Sequence, residues 1–233
     1  MISNRYEDFR TIVAQAIKDA CIEDLKEVKR QFELETFSCR HSLSRDIMNT
    51  HISRRLDPNR FSVETFNRGA HEFIVIYDKN EKTLYSIMKY KTFKGLEKSK
   101  KKANVHYLEA LGFFNNDNIA EKSQIKFFED EYRERQIEDL LFKIVRKEVI
   151  DEVEVHKLIT FDIKNNELAS ILVFQLNSEL DIINEESWND YITVDYDNIG
   201  ATGLSTDITQ ENYALEEDIL LGIKGTDIEI KVK

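Results

Sequence analysis

Two aspartates in this chain stand where an apolar stretch gives way to a polar turn. Asp78 follows residues 73–77 (FIVIY), and Asp162 follows residues 158–161 (LITF). An acid at a strand end, met on the next strand by an acid or glutamine and a lysine two residues apart, would hold a divalent cation beside a lysine. That is the chemistry of a metal-dependent nuclease. After Asp78 the next strand offers Met88-Lys89-Tyr90-Lys91, with no acid in front of either lysine. After Asp162 it offers Gln175-Leu176-Asn177, with asparagine where the lysine is needed. Both sets are incomplete. No catalytic residue is assigned, and Asp78 and Asp162 remain as the candidates of an alternative reading, a divergent nuclease.

Other chemistries have less to work with. Cys21, Cys39, His41 and His51 could together offer four zinc ligands, but the chain has neither a C-x-x-C nor an H-x-x-x-H pair to seed such a site. Cys21 falls on the apolar face of a helix, where a thiol packs as a small hydrophobe. His71, His106 and His156 adjoin apolar segments and read as structural side chains. A G-x-S-x-G elbow and the glycine patterns that cradle phosphate are both absent. No metal and no cofactor is expected, and the sequence reads as a protein that is not an enzyme.

The cations are more informative. Arg40, Arg45, Arg54, Arg55, Arg60 and Arg68 crowd one segment, and arginine grips phosphate in a forked geometry. Lys89, Lys91 and Lys94 lead into Lys98, Lys100, Lys101 and Lys102, a run that can track a phosphate backbone. The residues expected to contact nucleic acid or another anion are Arg54, Arg55, Lys89, Lys91, Lys98, Lys100, Lys101 and Lys102. Charge is also divided along the chain. Residues 1–105 carry a net of +6 and residues 106–233 a net of −17, giving −11 overall. Such a split suits a basic face for an anionic partner, or two halves that neutralise one another.

Elements that could position these groups follow from periodicity. Apolar residues at three- and four-residue spacing predict a long amphipathic helix over residues 5–34, capped by Asn4 with Glu7. The same helix offers a surface for a homodimer. Ser44 predicts a short helix through His51 to Leu56, ended by Asp57-Pro58-Asn59. The runs 73–77 and 84–90 around a polar turn predict one β-hairpin, and 155–162 with 168–176 a second. Between them, Asn104 predicts a helix closed by Gly112, and residues 136–149 another. Residues 180–183 read as an added strand and 185–192 as a short helix with Trp188 inward.

The expected fold is therefore α+β: an antiparallel sheet built from two β-hairpins, packed by amphipathic helices, with a long N-terminal helix. Residues 1–192 form one domain, and 193–233 an acidic C-terminal segment ending in a strand. With one proline and seven glycines the chain does not read as a tight-turned sandwich or barrel. Charges throughout the first thirty residues argue against a secretory signal, and no apolar run approaches the roughly 20 residues that cross a bilayer. Two cysteines make no disulfide framework, so a cytoplasmic, reducing setting is expected and no membrane partner.

Several of these residues also carry a resemblance. Residues 73–78 (FIVIYD), Leu84-Tyr85-Ser86-Ile87-Met88, Phe93, His106-Tyr107-Leu108-Glu109-Ala110-Leu111 and Asn115 resemble a bacterial family known as a domain of unknown function. Residues 124–128 (QIKFF), Leu180-Asp181-Ile182 and Trp188-x-x-Tyr191-Ile192 are similar to its later signatures, so the likeness spans about residues 70–192. The family places an Arg-Glu-Lys-like tripeptide after the methionine, where this chain has Lys89-Tyr90-Lys91. The resemblance implies an origin in bacterial genomes, phages or mobile elements, and no activity. The sequence thus predicts a non-enzymatic binding or regulatory protein that contacts nucleic acid or a protein partner. The alternatives are the divergent nuclease and an inhibitor whose acidic C-terminal region mimics nucleic acid.

Overall fold

The structure, a computed structural model, describes residues 8–69, 71–97, 105–119 and 131–193. Among these, six strands form one sheet in chain order: β1 (Phe61–Arg68), β2 (His71–Asp78), β3 (Thr83–Lys89), β4 (Val155–Lys164), β5 (Glu167–Leu176) and β6 (Ile182–Ser187). Neighbours are antiparallel except at the centre, where β3 and β4 run parallel from Thr83↔Val155 to Lys89↔Phe161. The sheet is therefore two three-stranded meanders, β1-β2-β3 and β4-β5-β6, joined along a parallel seam.

That seam corrects the expectation of an antiparallel sheet made from two hairpins. The physical reason lies in burial. A strand apolar on both faces needs a layer on each side, and parallel neighbours need a long crossover to supply one. Residues 90–154 make that crossover and bring α4 (Tyr90–Glu97), α5 (Tyr107–Gly112), α6 (Glu131–Ile144) and α7 (Lys147–Ile150). They cover the face formed by Val75, Tyr77, Leu84, Met88, Leu158 and Phe174. The opposite face, with Ile74, Ile76, Tyr85, Ile87, Ile159 and Val173, packs under the N-terminal helices. The topology also makes the two matching hairpins unequal: β2-β3 is the second hairpin of its meander, and β4-β5 the first of the other.

The first predicted helix is present but interrupted. It runs as α1 (Phe9–Lys18), a π-turn (Asp19–Glu23) and α2 (Asp24–Gln31). The wider turn lets the consecutive residues Ala20, Cys21 and Ile22 all be buried. The predicted cap at Asn4 and Glu7 lies outside the described residues, and Asp8 serves as N-cap. Helix α3 (Arg40–Arg55) begins earlier than predicted and holds Ser44 in its interior, with the hydroxyl donating to the His41 carbonyl at 3.0 Å. Its core contact rests on Ser44, Met48 and Ile52, one residue per turn, too sparse a stripe to read as a long helix.

Other boundaries moved as well. Strand β1 was not expected, because polar residues fill the middle of FSVETF. Basic residues 90–97 are helical, His106 rather than Asn104 caps α5, and β6 claims Glu185 to Ser187. Residues 189–191 form a 3-10 turn, and Trp188 is buried as expected. Asn165 and Asn166, both at positive φ, turn β4 into β5. The apolar segment 124–128 and the acidic region from 194 onward lie outside the described residues. Among those described, no helix is long and apolar enough to cross a membrane.

Candidate nucleic-acid interface

The two candidate aspartates sit at opposite ends of the sheet. Asp78 pairs with Thr83, which pairs with Val155, and Asp162 lies seven residues further along β4. At a strand rise of about 3.3 Å, that separates them by about 23 Å. Asp78 is fully buried and saturated. Arg60 Nε lies 3.1 Å from both carboxylate oxygens and Nη2 is 2.5 Å from Oδ2, while the Asn80 amide donates to Oδ1 at 3.0 Å. This is how an aspartate closes a turn: it accepts from the backbone two residues on and from a cation across the loop. The Arg60 guanidinium is in turn raised above its ordinary value, chiefly by its hydrogen bond to Asp78. Asp162 is partly exposed beside a β-bulge and pairs with Lys164 at 3.1 Å. Lys89 and Gln175, the residues nearest to completing each set, lie strand lengths away from their aspartates.

The possible zinc ligands are likewise held apart in function. Cys21 is buried in the π-turn, which pushes its thiol up to about 11. His51 Nε2 lies 2.7 Å from Asp24 Oδ2 and ties α3 to α2. Among the described residues no three His, Cys, Asp or Glu side chains gather to hold a metal.

Of the structural histidines, His106 caps α5 by accepting from the Leu108 amide at 3.2 Å. His156 is fully buried, and its Nε2 shares a 2.9 Å hydrogen bond with Ser86 Oγ across the parallel seam. Burial drives its pKa down to about 3, so the ring is neutral at ordinary pH. Its Nδ1 has no partner. Asn115 secures this place in the sheet: its side chain accepts from the His156 amide at 3.0 Å and donates to the carbonyls of His156 and Leu176. Ser86 and His156 are both buried, and their hydrogen bond joins β3 to β4 across the seam.

The cations divide by position. Arg54 and Arg55 end α3, and Arg55 Nη2 bonds Asp19 Oδ2 at 2.5 Å. Lys89 ends β3 and donates to His41 Nδ1 at 2.8 Å, at the other end of the same helix. Fourteen residues of helix separate His41 from Arg55, about 21 Å, so the two predicted groups do not form one patch. Lys91 is exposed at the start of α4, while Lys98, Lys100, Lys101 and Lys102 lie outside the described residues.

The register then shows which residues Lys89 does join. It ends β3 on the side of the sheet where β1 ends at Arg68 and β2 begins at His71. Arg45 of α3 reaches the same corner and donates to His71 Nδ1 at 2.8 Å. Arg45, Arg68, His41 and His71 were not selected from the sequence as contact residues. Arg45 and Arg68 were visible as members of the arginine cluster, but only strand pairing decides which arginines share a corner with Lys89.

Comparison with curated proteins and with solved structures gives no match. A family of unknown function, DUF5986, matches residues 3–230. The match extends beyond the signature residues 70–192 on both sides, taking in the N-terminal helices and β1 as well as the central strands and crossover. On that span, nearly the whole chain, the protein belongs to the DUF5986 family, a family whose function is unknown.

Proposed function

We infer that the chain is a binding protein, not an enzyme, and that it meets a polyanion, nucleic acid foremost, at one end of its sheet. The observation that carries this reading is the sorting of charge by the strand register. Arg68, His71 and Lys89 end their strands on one side, Lys91 and Lys94 follow in α4, and Arg40, His41 and Arg45 come down from α3. Clustered cations on one end of a sheet raise the local concentration of an anionic chain and bind it by displacing its counterions. A cytoplasmic setting and a bacterial or phage-related origin belong to the same proposal, supported by two free cysteines and by the sequence resemblance.

The reading is tested by gel shift with DNA and RNA at low and high salt. Binding that weakens steeply with salt, and that falls when Lys89, Lys91 and Lys94 are changed to glutamate, is the expected result. Absence of binding at low salt would overturn it. Cleavage of the strands with Mg²⁺ present would overturn the non-enzymatic part.

A further inference from the structure

The sheet has two outer strands, and the chain treats them differently. On β1, Glu64 accepts from the amide of Arg146, the N-cap of α7, at 3.0 Å, so the crossover reaches that margin. Strand β6 is paired on one side alone, by β5, from Leu172↔Ser187 to Leu176↔Ile182. None of its residues is buried, and Ile182 and Ile183 are among the exposed large hydrophobic side chains. A one-sided strand with exposed apolar groups is a place where a sheet can still grow.

Alternation along the strand shows which backbone groups are outermost. The Trp188 amide, one residue past β6, donates inward to the Ile171 carbonyl at 3.0 Å. Ser187 and Glu185, one and three residues before it, therefore turn their backbone groups away from β5. The Glu185 amide accordingly donates to the side chain of its own neighbour, Asn184 Oδ1, at 3.0 Å. Such a local bond satisfies a donor without closing the edge, because the side chain swings aside when an incoming carbonyl takes its place.

Charge then selects the occupant. Residues 178–192, which hold β6 and its flanks, carry five acids and no lysine or arginine. Glu186 is paired with Arg10 of α1 at 3.2 Å, while Glu185 stands exposed at the next position. A second copy would bring the same acids to the same edge, and like charges across a strand pair repel. A strand with lysine or arginine among aliphatic side chains sets cations against Glu185 and apolar groups against Ile182 and Ile183.

We propose that β6 is the docking edge for a protein partner, which adds an extended, basic segment beside it as a further strand. The proposal stands apart from the polyanion reading, since it concerns another strand and the opposite charge. Main-chain hydrogen bonds at Glu185 and Ser187 supply the affinity, and Glu185 with the two isoleucines supplies the selectivity.

The test is fluorescence anisotropy with the full chain and labelled nonapeptides at about 150 mM salt. One peptide alternates valine and lysine, a second alternates valine and glutamate, and a third is the lysine peptide with all its backbone amides N-methylated. The lysine peptide should bind with a Kd of about 100 μM or tighter, and the other two about tenfold more weakly or worse. N-methylation keeps the charge and removes the main-chain donors, so equal binding of both lysine peptides would overturn strand addition. Glu185→Lys reverses the charge, and Glu185→Pro removes an amide that is turned away from β5. Each should weaken the lysine peptide about tenfold or more. Binding that both variants leave unchanged, or no binding up to about 1 mM peptide, would overturn the docking edge. Sedimentation of the unaltered chain as a dimer that Glu185→Pro converts to a monomer would overturn the partner assignment in favour of a second copy. Far-ultraviolet circular dichroism separates lost binding from lost fold in the variants, and the peptide arms test the edge without any substitution.

Discussion

The two ends of the sheet use charge in opposite ways. At the Asp78 end polar groups meet partners within the molecule: Asp78 with Arg60, Tyr77 with Glu152, Lys82 with Glu154, and Asn115 with the backbone of His156 and Leu176. At the Lys89 end the described contacts of three cations include imidazoles and aromatic rings: Lys89 with His41, Arg45 with His71 and Phe73, Arg68 with Tyr107. The first arrangement neutralises charge and closes the fold. The second sets cations against rings, contacts that hold a side chain's position by a different physics from ion pairing.

The largest effect should come from breaking the closed end. Arg60→Ala strips the buried Asp78 carboxylate of its cation, and the loss should be about 3 kcal/mol or more. A lower urea midpoint at unchanged slope would show it. A loss below about 1 kcal/mol would mean that the backbone donors alone satisfy Asp78.

Acid should act on the same end through His156. Its folded pKa, about 3, lies well below the ordinary histidine value. Between roughly pH 6.5 and 3 the unfolded chain binds a proton that the folded chain refuses, so stability falls as pH drops through that window and is unaffected above it. The slope contributed is at most about 1.4 kcal/mol per pH unit. Urea titrations at a series of pH values should show His156→Gln with a flatter profile there than the unaltered protein.

Asn115→Ala should cost less, about 1–3 kcal/mol, by leaving the His156 and Leu176 backbone groups unpaired in the interior. Gly112→Ala should fall in the same range, because a β-carbon there would press on the Asn177 carbonyl, which is backbone and cannot turn aside. Thermal melts rank the two.

The smallest stability effect is expected at the basic end. Arg45→Gln should lower the unfolding free energy, read from its urea midpoint, by about 1 kcal/mol or less, the size of one cation–π contact. If it destabilises as much as Arg60→Ala, the two ends do not differ in kind and the contrast fails.

Much of this was legible in the chain. The apolar runs around Asp78 and Asp162 marked four central strands, since β-branched and aromatic residues in short blocks do not suit another structure. Helix α1 was legible because its stripe is dense, and α3 was cut short because one buried residue per turn leaves a weak period. Strand β1 escaped because its pairing with β2, not its own composition, makes it a strand. Lys89, Lys91, Arg54 and Arg55 were named together from the sequence, and only the structure shows that Lys89 meets His41, about 21 Å of helix from Arg55.

The division has a physical cause. Local preferences act over a few residues, so the sequence by itself determined the helices with dense stripes, the doubly buried strands and the asparagine turn. Strand pairing is a contact between distant residues, chosen by how two apolar faces can both be covered at once. That choice set β4 parallel to β3, separated Asp78 from Asp162, ended the β2–β3 ladder at Val75↔Ser86, and brought Lys89 to His41 and Arg45 to His71.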